Sequence, residues 1–305
     1  MLRSVVFSPP AVPSSAPSDP AAEPRITAGG QRLFRAPGFP YPGFNATLPY
    51  PDYNPADPAQ VAGTYDSYST GASGVTEATR RRNKLARYVI DAMRAPDVLA
   101  VQEVENLAVL QALADEINLR DATLGYSAHL VAGNDRGGIN VGFLLRSGVG
   151  GATARVTDVG VTQLGFNDRL SVDNSCLHDR PPLRLRATFN GSGFTVVNNH
   201  TRSLLGIDEP NADGARTRQK RLEQAQSLRG YVNQELADFP LRPLVLVGDY
   251  NAFQFSDGWV DTIGVIRGVQ RPAFLASPSA VAAGQQLVNA IDQVDSAERY
   301  SYLFD

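Results

Sequence analysis

Three runs of apolar residues end abruptly in polar side chains, and this feature limits the possible folds more than any other. The runs read VLAVQEV, FTVVNNH and LVLVGDYNA, and they end at residues 104, 200 and 252. Short apolar runs of this kind are typical of strands buried on both faces. A carboxylate, amide or imidazole at the end of a buried strand needs a partner, because its burial alone costs several kcal/mol. We therefore expect the three strand ends to gather into a site.

Helical and strand patterns are mixed along the rest of the chain. We predict helices over 76–93, 106–120, 215–237 and near 285–292, and strands over 97–104, 126–133, 140–147, 183–190, 193–200 and 243–250. Two strand pairs are joined by the short turns GNDRGG and GSG, which favour hairpins. Hairpins combined with helices predict an α/β protein with mixed rather than purely parallel sheets.

The first quarter of the sequence differs in composition from the remainder. More than half of the 21 prolines lie in the first 60 residues, and proline disfavours helices and central strands. We expect residues 1–25 to be a disordered Pro-rich segment and 26–75 to be long irregular structure that leaves room for a short strand. Residues 76–305 would then form one large α/β domain.

Composition excludes some classes of function. The formal net charge of −3 leaves no overall basic footprint for nucleic acid, although local arginines can still form a basic cleft. No apolar run reaches the roughly 20 residues of a membrane span. The single cysteine, Cys176, lies in no recognisable motif and cannot form an internal disulfide. The apolar patch near Met1 has four residues, too few for the core of a signal peptide.

The polar strand ends suit the hydrolysis of a phosphate ester. Glu103 is a candidate ligand for Mg²⁺, which takes oxygen ligands and often only one or two carboxylates. Asp249 could orient or deprotonate an attacking water, and Asn251, two residues on, could hold a phosphate oxygen. As an imidazolium, His200 could bind the oxyanion of the transition state. Alternatively, Asp249 and Asn251 could form only an Asx turn.

Several strings together resemble a known family. VLAVQEVENLAVLQALADEI, DRGGINVGFLLR, RPPL, VVNNHTRS and LVLVGDYNAF occur in the order seen in the endonuclease/exonuclease/phosphatase superfamily, and are most similar to its bacterial extracellular, deoxyribonuclease I-like branch. The resemblance covers about residues 76–305. It implies a four-layer α/β sandwich of two mixed β-sheets flanked by helices. It also implies metal-dependent phosphodiester hydrolysis, with Mg²⁺, or alternatively Mn²⁺ or Ca²⁺, as the ion, by a monomer whose substrate is nucleic acid.

The resemblance also assigns roles to individual residues. It implies that Glu103 binds the metal, that His200 contacts the scissile phosphate, and that Asp249 and Asn251 orient the nucleophile and bind phosphate. It further implies that four residues bind substrate near the cleft: Asp135, Arg136, Arg180, and Asn199 of the VVNNH string. Many relatives in this branch are extracellular or periplasmic, which makes that a possible compartment here.

Two elements of the family pattern are missing. An asparagine expected on an early strand has only Asn45 as a candidate, and the C-terminal LDH and SDH segments are absent. The last histidine is His200, so the general-base histidine and its aspartate have no counterpart. A positioned acid or base is typically worth about 10²–10⁴-fold in rate. We therefore expect a domain without its C-terminal strands and with weak or no activity.

Other interpretations remain open. The chain could be a non-catalytic fragment, a nucleic-acid-binding protein, or a phosphodiesterase for lipid or nucleotide phosphates. His129 and His178 are expected to be structural, and Trp259 is expected to contribute to packing. The Arg-rich helix over 215–237 is expected to present a solvated face, or to lie along a phosphate backbone.

Overall fold

The strands of the chain form two mixed sheets. The computed structural model describes residues 6–8, 26–32, 77–253, 258–269 and 285–293. A six-stranded sheet has the order β10-β1-β9-β8-β7-β6, and a four-stranded sheet has the order β2-β3-β5-β4. The strands are β1 (Val6–Ser8), β2 (Ile26–Arg32), β3 (Val98–Val104), β4 (Tyr126–Leu130), β5 (Asn140–Arg146), β6 (Val156–Gln163), β7 (Leu183–Phe189), β8 (Ser192–His200), β9 (Leu244–Asp249) and β10 (Val288–Asn289).

The helices cover the outer faces of the two sheets. They are α1 (Glu77–Arg87), α2 (Leu107–Arg120), α3 (Ala212–Asp238) and α4 (Thr262–Arg267), and a π-helical turn (Tyr88–Ala92) follows α1. Side chains of Asn106, Asn211 and Asp261 accept a backbone N–H in the first turns of α2, α3 and α4, which satisfies groups that a helix start leaves unpaired. None of the helices in the described ranges has the length and apolar character of a bilayer span.

Three apolar clusters show that the molecule has four layers. One cluster lies between the sheets and includes Phe143 of β5, Leu185 of β7 and Val245 of β9. A second cluster packs α3 and α4 against the six-stranded sheet, and a third packs α1 and α2 against the four-stranded sheet. The predicted fold class is therefore confirmed: an α/β sandwich of two mixed sheets with helices outside both.

The sheets extend upstream of residue 76. Val6–Ser8 pairs with β9 and β10, and Ile26–Arg32 pairs in parallel with β3. The expected disorder of residues 1–25 therefore does not hold for Val6–Ser8. The part expected to be irregular with room for a short strand contains the seven-residue strand Ile26–Arg32. The other residues before 77 lie outside the described ranges.

The C-terminal prediction is wrong in one respect. In place of a helix near 285–292, residues 288–289 form β10 and residues 290–293 form one 3₁₀ turn. An apolar run as short as LVNAI fits a strand and a helix equally, and here pairing with β1 decides the outcome. The expected loss of C-terminal strands concerns residues beyond 293, outside the described ranges, and stays a prediction.

Candidate active site at the carboxyl ends of β3, β8 and β9

Strand pairing brings His200 and Asp249 side by side. Strands β8 and β9 are parallel neighbours, and His200 is the register partner of Asp249 at their carboxyl ends. Side chains alternate along a strand, and Val196 and Val247 lie in the cluster between the sheets. His200 and Asp249 follow these valines by an even number of residues. Both therefore belong to the face directed at the four-stranded sheet.

A bulge in β3 changes the direction of Glu103. Leu99 and Val101 pack against the helices, and regular alternation would turn the side chain of Glu103 to the same side. After the bulge, Val104 packs there instead. The register with β5 shifts between Val101 and Val104, and Glu103 has a φ of 57°. The bulge therefore removes the carboxylate from the helix-side core, and Glu103 is half-buried.

Asn198 joins the two sheets directly beneath these residues. Its side-chain nitrogen donates to the carbonyls of Val101 and Gly142, each at 2.9 Å, and its oxygen accepts from Gln102 Nε2 at 2.6 Å. These bonds connect β8 of one sheet to β3 and β5 of the other. The polar end of β3 therefore lies at the same end of the sandwich as His200 and Asp249.

The turn after β9 fixes Asp249 and Asn251. The Asx turn considered from the sequence is present, because Asp249 Oδ1 accepts the backbone N–H of Asn251 at 2.9 Å. Asn251 Nδ2 donates to the Thr201 carbonyl at 3.0 Å, and its backbone has a φ of 44°. Gly248 is required here, because a Cβ would lie 2.0 Å from the Asn199 carbonyl oxygen.

Arg180 and Arg136 lie close in space but differ in their surroundings. Arg180 donates from Nη1 to Asp135 Oδ1 at 3.1 Å, from Nε to the His200 carbonyl at 3.3 Å, and from Nη2 to the Thr201 carbonyl at 3.2 Å. Its side chain is 11% exposed. Arg136, which neighbours Asp135, is exposed. Arg180 thus holds the backbone that carries His200, and Arg136 is the accessible cation of the pair.

Asn199 does not lie with the other predicted site residues. It is fully buried, and its Nδ2 donates to the carbonyls of Val197 and Val247 and to Tyr250 Oη. Alternation along β8 turns it to the helix-covered face of the sheet, opposite to His200. The substrate-binding role expected for Asn199 has no geometric support, since a buried residue on this face cannot reach a substrate.

Helix α3 contributes a residue that the sequence interpretation missed. Arg221 is 1% exposed and donates to the carbonyls of Arg202 and Asn251. It therefore links the segment after β8 to the turn after β9. The sequence did contain a signal for its burial. Arg221 lies at helical spacing from Ala225, Leu228 and Val232, which pack in the helix-side core, and this spacing places it on the buried stripe of the helix. The expected solvated face does not hold for Arg221 or for Lys220, which is 3% exposed.

The donor atoms at this end fit a hard divalent cation. Gln102 Oε1 and Asn251 Oδ1 are buried, and neither has a hydrogen-bond partner among the described residues. Together with the carboxylates of Glu103 and Asp249 they form a set of oxygen donors, which Mg²⁺ prefers. The described part of the chain contains no group of three or more His, Cys, Asp or Glu residues placed to hold a metal. Mg²⁺ does not need one, because it often keeps several waters and only one or two carboxylates.

The other two histidines lie elsewhere in the fold. His129 is on β4, where its Nε2 is 2.8 Å from Ser127 Oγ. His178 is 3% exposed, and its Nε2 lies 3.1 Å from Ser227 Oγ on α3. Burial lowers the pKa of His178 to about 4, so it is neutral near pH 7. Both residues thus have packing environments, as a structural role requires.

Comparison with known proteins gives only distant likenesses. No family model and no curated protein matches the chain. Similar solved structures include a humanized D. rerio TDP2, with 20% identity over 62% of this chain and 60% of that chain and a TM-score of 0.38.

Two further solved structures match to a similar extent. They are the human nocturnin catalytic domain, with 15% identity over 58% of this chain and 59% of that chain and a TM-score of 0.40, and an endonuclease/exonuclease/phosphatase family protein from Bacteroides thetaiotaomicron, with 16% identity over 61% and 59% and a TM-score of 0.39. The chain spans less than two thirds of the length of these structures. Likenesses this low carry no argument about function, which must come from the residues of the site.

Proposed function

We propose that this protein is a metal-dependent phosphodiester hydrolase that acts as a nuclease on DNA or RNA. The observation that carries the proposal is the convergence of His200, Asp249 and Asn251 at one end of the sandwich, next to the strand end that bears Glu103. An imidazole, two carboxylates and buried amide oxygens in one place suit the binding and attack of a phosphate ester.

The protein residues have separate roles in this proposal. Asp249, oriented by its Asx turn, positions or deprotonates the attacking water. His200, as an imidazolium, stabilises the charge that develops on a phosphoryl oxygen. Arg136 contacts a phosphate of the substrate, while Arg180 keeps the backbone of His200 and Thr201 in place.

The ion would be held by oxygen atoms. Glu103 would supply the carboxylate for Mg²⁺, or for Mn²⁺ or Ca²⁺, and Asn251 Oδ1 would supply an acceptor that has no other partner among the described residues. Such an ion, when bound, polarises a phosphoryl oxygen and favours departure of the leaving group. Asn251 then acts through its oxygen, since its nitrogen already donates to the Thr201 carbonyl.

We expect the rate of this chain to be low. Of its three histidines, His129 and His178 are in packing environments, which leaves His200 as the single imidazole at the site. Acid–base help from one further positioned side chain is typically worth about 10²–10⁴-fold. Residues 1–305 are therefore expected to cut slowly in comparison with an enzyme that has two histidines at its site.

Nicking of supercoiled plasmid by the purified chain tests the proposal. We expect slow nicking in Mg²⁺ that stops in EDTA and falls at least tenfold in His200→Ala and Asp249→Asn, with His129→Ala as the matched control. Nicking that persists in EDTA or in His200→Ala contradicts the proposed site. Binding of DNA without cleavage at high enzyme concentration would favour a non-catalytic binding protein. Hydrolysis of lipid or nucleotide phosphates alone would favour a phosphodiesterase of another specificity.

A further inference from the structure

A cavity lies between helices α1 and α2, which cover the outer face of the four-stranded sheet. Its volume is about 440 Å³, and the residues that line it in the described part of the chain are Asn83, Lys84 and Arg87 of α1 and Arg120 of α2. These four side chains provide three positive charges, one amide and no carboxylate. Proteins bind small molecules in cavities of about 300–1,000 Å³. The size and the lining of this cavity therefore indicate a small anionic ligand.

Glu116 of α2 fixes the two helices to each other at the cavity. Its carboxylate lies 2.7 Å from Arg120 Nη2 and 3.8 Å from Arg82 Nε, and it accepts from Asn83 Nδ2 at 2.9 Å. The apolar faces of α1 and α2 also pack in one cluster on the four-stranded sheet. The walls of the cavity are therefore held in place without a ligand, which reduces the cost of ordering them on binding.

Positive charge exceeds negative charge around the cavity. The carboxylate of Glu116 is shared by two arginines, one from each helix. Arg87 pairs with Asp91 at 3.8 Å, but both side chains are well exposed, and such an ion pair contributes little. Lys84 is exposed and has no ion pair with any residue of the described ranges. Four cations and two carboxylates leave a net charge of +2.

The cavity is separate from the candidate active site. Helix α2 begins at Leu107, three residues after the end of the strand that bears Glu103. Arg120 lies thirteen residues further along this helix, which corresponds to about 20 Å at 1.5 Å per residue. A phosphate held at the carboxyl ends of the strands therefore cannot also occupy this cavity. An inference about the cavity does not depend on the proposed nuclease function.

We propose that the cavity between α1 and α2 binds a phosphate monoester, either of a small molecule or at the end of an oligonucleotide. A monoester phosphate carries a charge of about −1.5 to −2 at pH 7, which complements the net charge of +2. Arginine and lysine side chains form charge-assisted hydrogen bonds with its terminal oxygens. Each diester of a nucleic-acid backbone carries one charge in an extended chain, which suits a row of cations better than cations around one cavity.

A purely structural role for these cations makes different demands. Lys84 and Arg87 lie in the last turn of α1, and Arg120 lies in the last turn of α2, where positive charge stabilises a helix through its dipole. That role requires the charges but no ligand. It predicts that removal of a charge changes thermal unfolding and leaves the affinity for a phosphate compound unchanged.

Isothermal titration calorimetry of the full chain in EDTA tests the proposal. The ligands are adenosine monophosphate, orthophosphate and, as the matched ligand without a phosphate, adenosine. We expect saturable binding of the two phosphate compounds and none of adenosine. Adenosine that binds as tightly as its monophosphate, or no saturable binding of either phosphate compound, overturns the proposal.

Variants locate the bound phosphate. We expect Lys84→Gln and Arg87→Gln each to weaken binding of adenosine monophosphate about tenfold, since each removes one charge-assisted hydrogen bond, while Lys84→Arg retains it. The control is Arg169→Gln, an exposed arginine on the connection between β6 and β7, and it should bind as the wild type does. Unchanged affinity in Lys84→Gln and Arg87→Gln, with or without a change in thermal unfolding, overturns the proposal. So does binding that is lost in Arg136→Gln and kept in Lys84→Gln, because it places the phosphate at the candidate active site.

Two short oligothymidylates, one with a 5′-phosphate and one with a 5′-hydroxyl, distinguish the sources of the monoester. If the end of a strand is the ligand, the phosphorylated strand binds more tightly by anisotropy, and this difference disappears in Lys84→Gln. If only adenosine monophosphate requires Lys84, the ligand is a small molecule. Equal binding of both strands with equal dependence on Lys84 shows recognition of the diester backbone and overturns the proposal. None of these assays requires hydrolysis, so their outcome is independent of the plasmid assay.

Discussion

Arg136 and Arg180 are both predicted from the sequence to bind substrate, but one is exposed and the other is largely buried. Arg180 is largely buried and donates to the Asp135 carboxylate and to two backbone carbonyls. Arg136 is exposed at the same edge of the site. An arginine whose donors are already engaged contributes position, whereas an accessible one can neutralise a phosphate.

Salt dependence should separate these two arginines. We expect Arg136→Ala to lower the slope of log K against log [salt] by about 0.7–0.9, the value for one lost phosphate contact. Arg180→Ala should leave that slope unchanged and reduce the plasmid-nicking rate, because the backbone of His200 loses a support. The measurement is oligonucleotide affinity between 50 and 200 mM salt in EDTA, with exposed Arg87→Ala on α1 as the control. A lower slope for Arg180→Ala would contradict this assignment.

Individual residues also show where sequence reasoning reaches its limit. The chemical types at the strand ends could be predicted, because Glu103, His200 and Asp249 interrupt apolar runs. The partners of Arg180 and Arg221 could not be assigned, since each bonds backbone carbonyls that are distant in sequence. A carbonyl has no identity in the sequence, so only the folded chain shows which arginine it engages.

Among the elements, β3 combines a predictable strand with an unpredictable bulge. The apolar pattern predicts its bounds, yet the phase change between Val101 and Val104 has no local signal of its own. The bulge costs energy, because Glu103 is a non-glycine residue at φ 57°. Strain at Glu103 is consistent with the metal-binding role that is proposed for this residue.

A pair of variants measures this strain. Glu103→Gly and Glu103→Ala both remove the carboxylate, but only glycine adopts positive φ without steric cost. We expect the free energy of unfolding in urea to be about 1 kcal/mol higher for the glycine variant, and nicking to be lost in both. Higher stability for the alanine variant would mean that the bulge relaxes. Retained nicking in both variants would mean that Glu103 is not a ligand.

At the scale of the whole molecule, the layers of the fold can be predicted from the sequence better than the short strands contributed by the N-terminal part of the chain. Apolar strands joined by hairpins and separated by amphipathic helices predict an α/β protein with mixed sheets, and the resemblance of its motifs implies a four-layer sandwich. Both agree with the fold observed. Val6–Ser8 was not predicted, and Ile26–Arg32 was anticipated only as a short strand of unknown position within 26–75. The proline-rich flanking sequence hides segments of three to seven residues that pair only once the sheets exist. Short strands of this kind depend on pairing with distant strands rather than on local propensity.

The stability of the whole fold should depend on pH through His178. Burial lowers its pKa to about 4, with Lys220 acting in the same direction and Asp168 and Asp179 opposing the shift. Between pH 4 and 6.5 the unfolded chain holds a proton at this site that the folded chain does not, so folded stability rises with pH. Through His178 alone, the free energy of unfolding is therefore about 3 kcal/mol lower near pH 4 than above pH 6.5, where both the folded and the unfolded chain hold this histidine neutral.

Urea unfolding at several pH values tests this linkage. We expect the stability of His178→Gln to fall less steeply than that of the wild type between pH 6.5 and 4. His129→Gln is the matched control with a smaller expected effect, because His129 is only partly buried. Carboxylates with lowered pKa values, such as Glu235, are common to all three proteins and cancel in the comparison. Parallel curves for His178→Gln and the wild type would show that His178 is not the residue that titrates with unfolding.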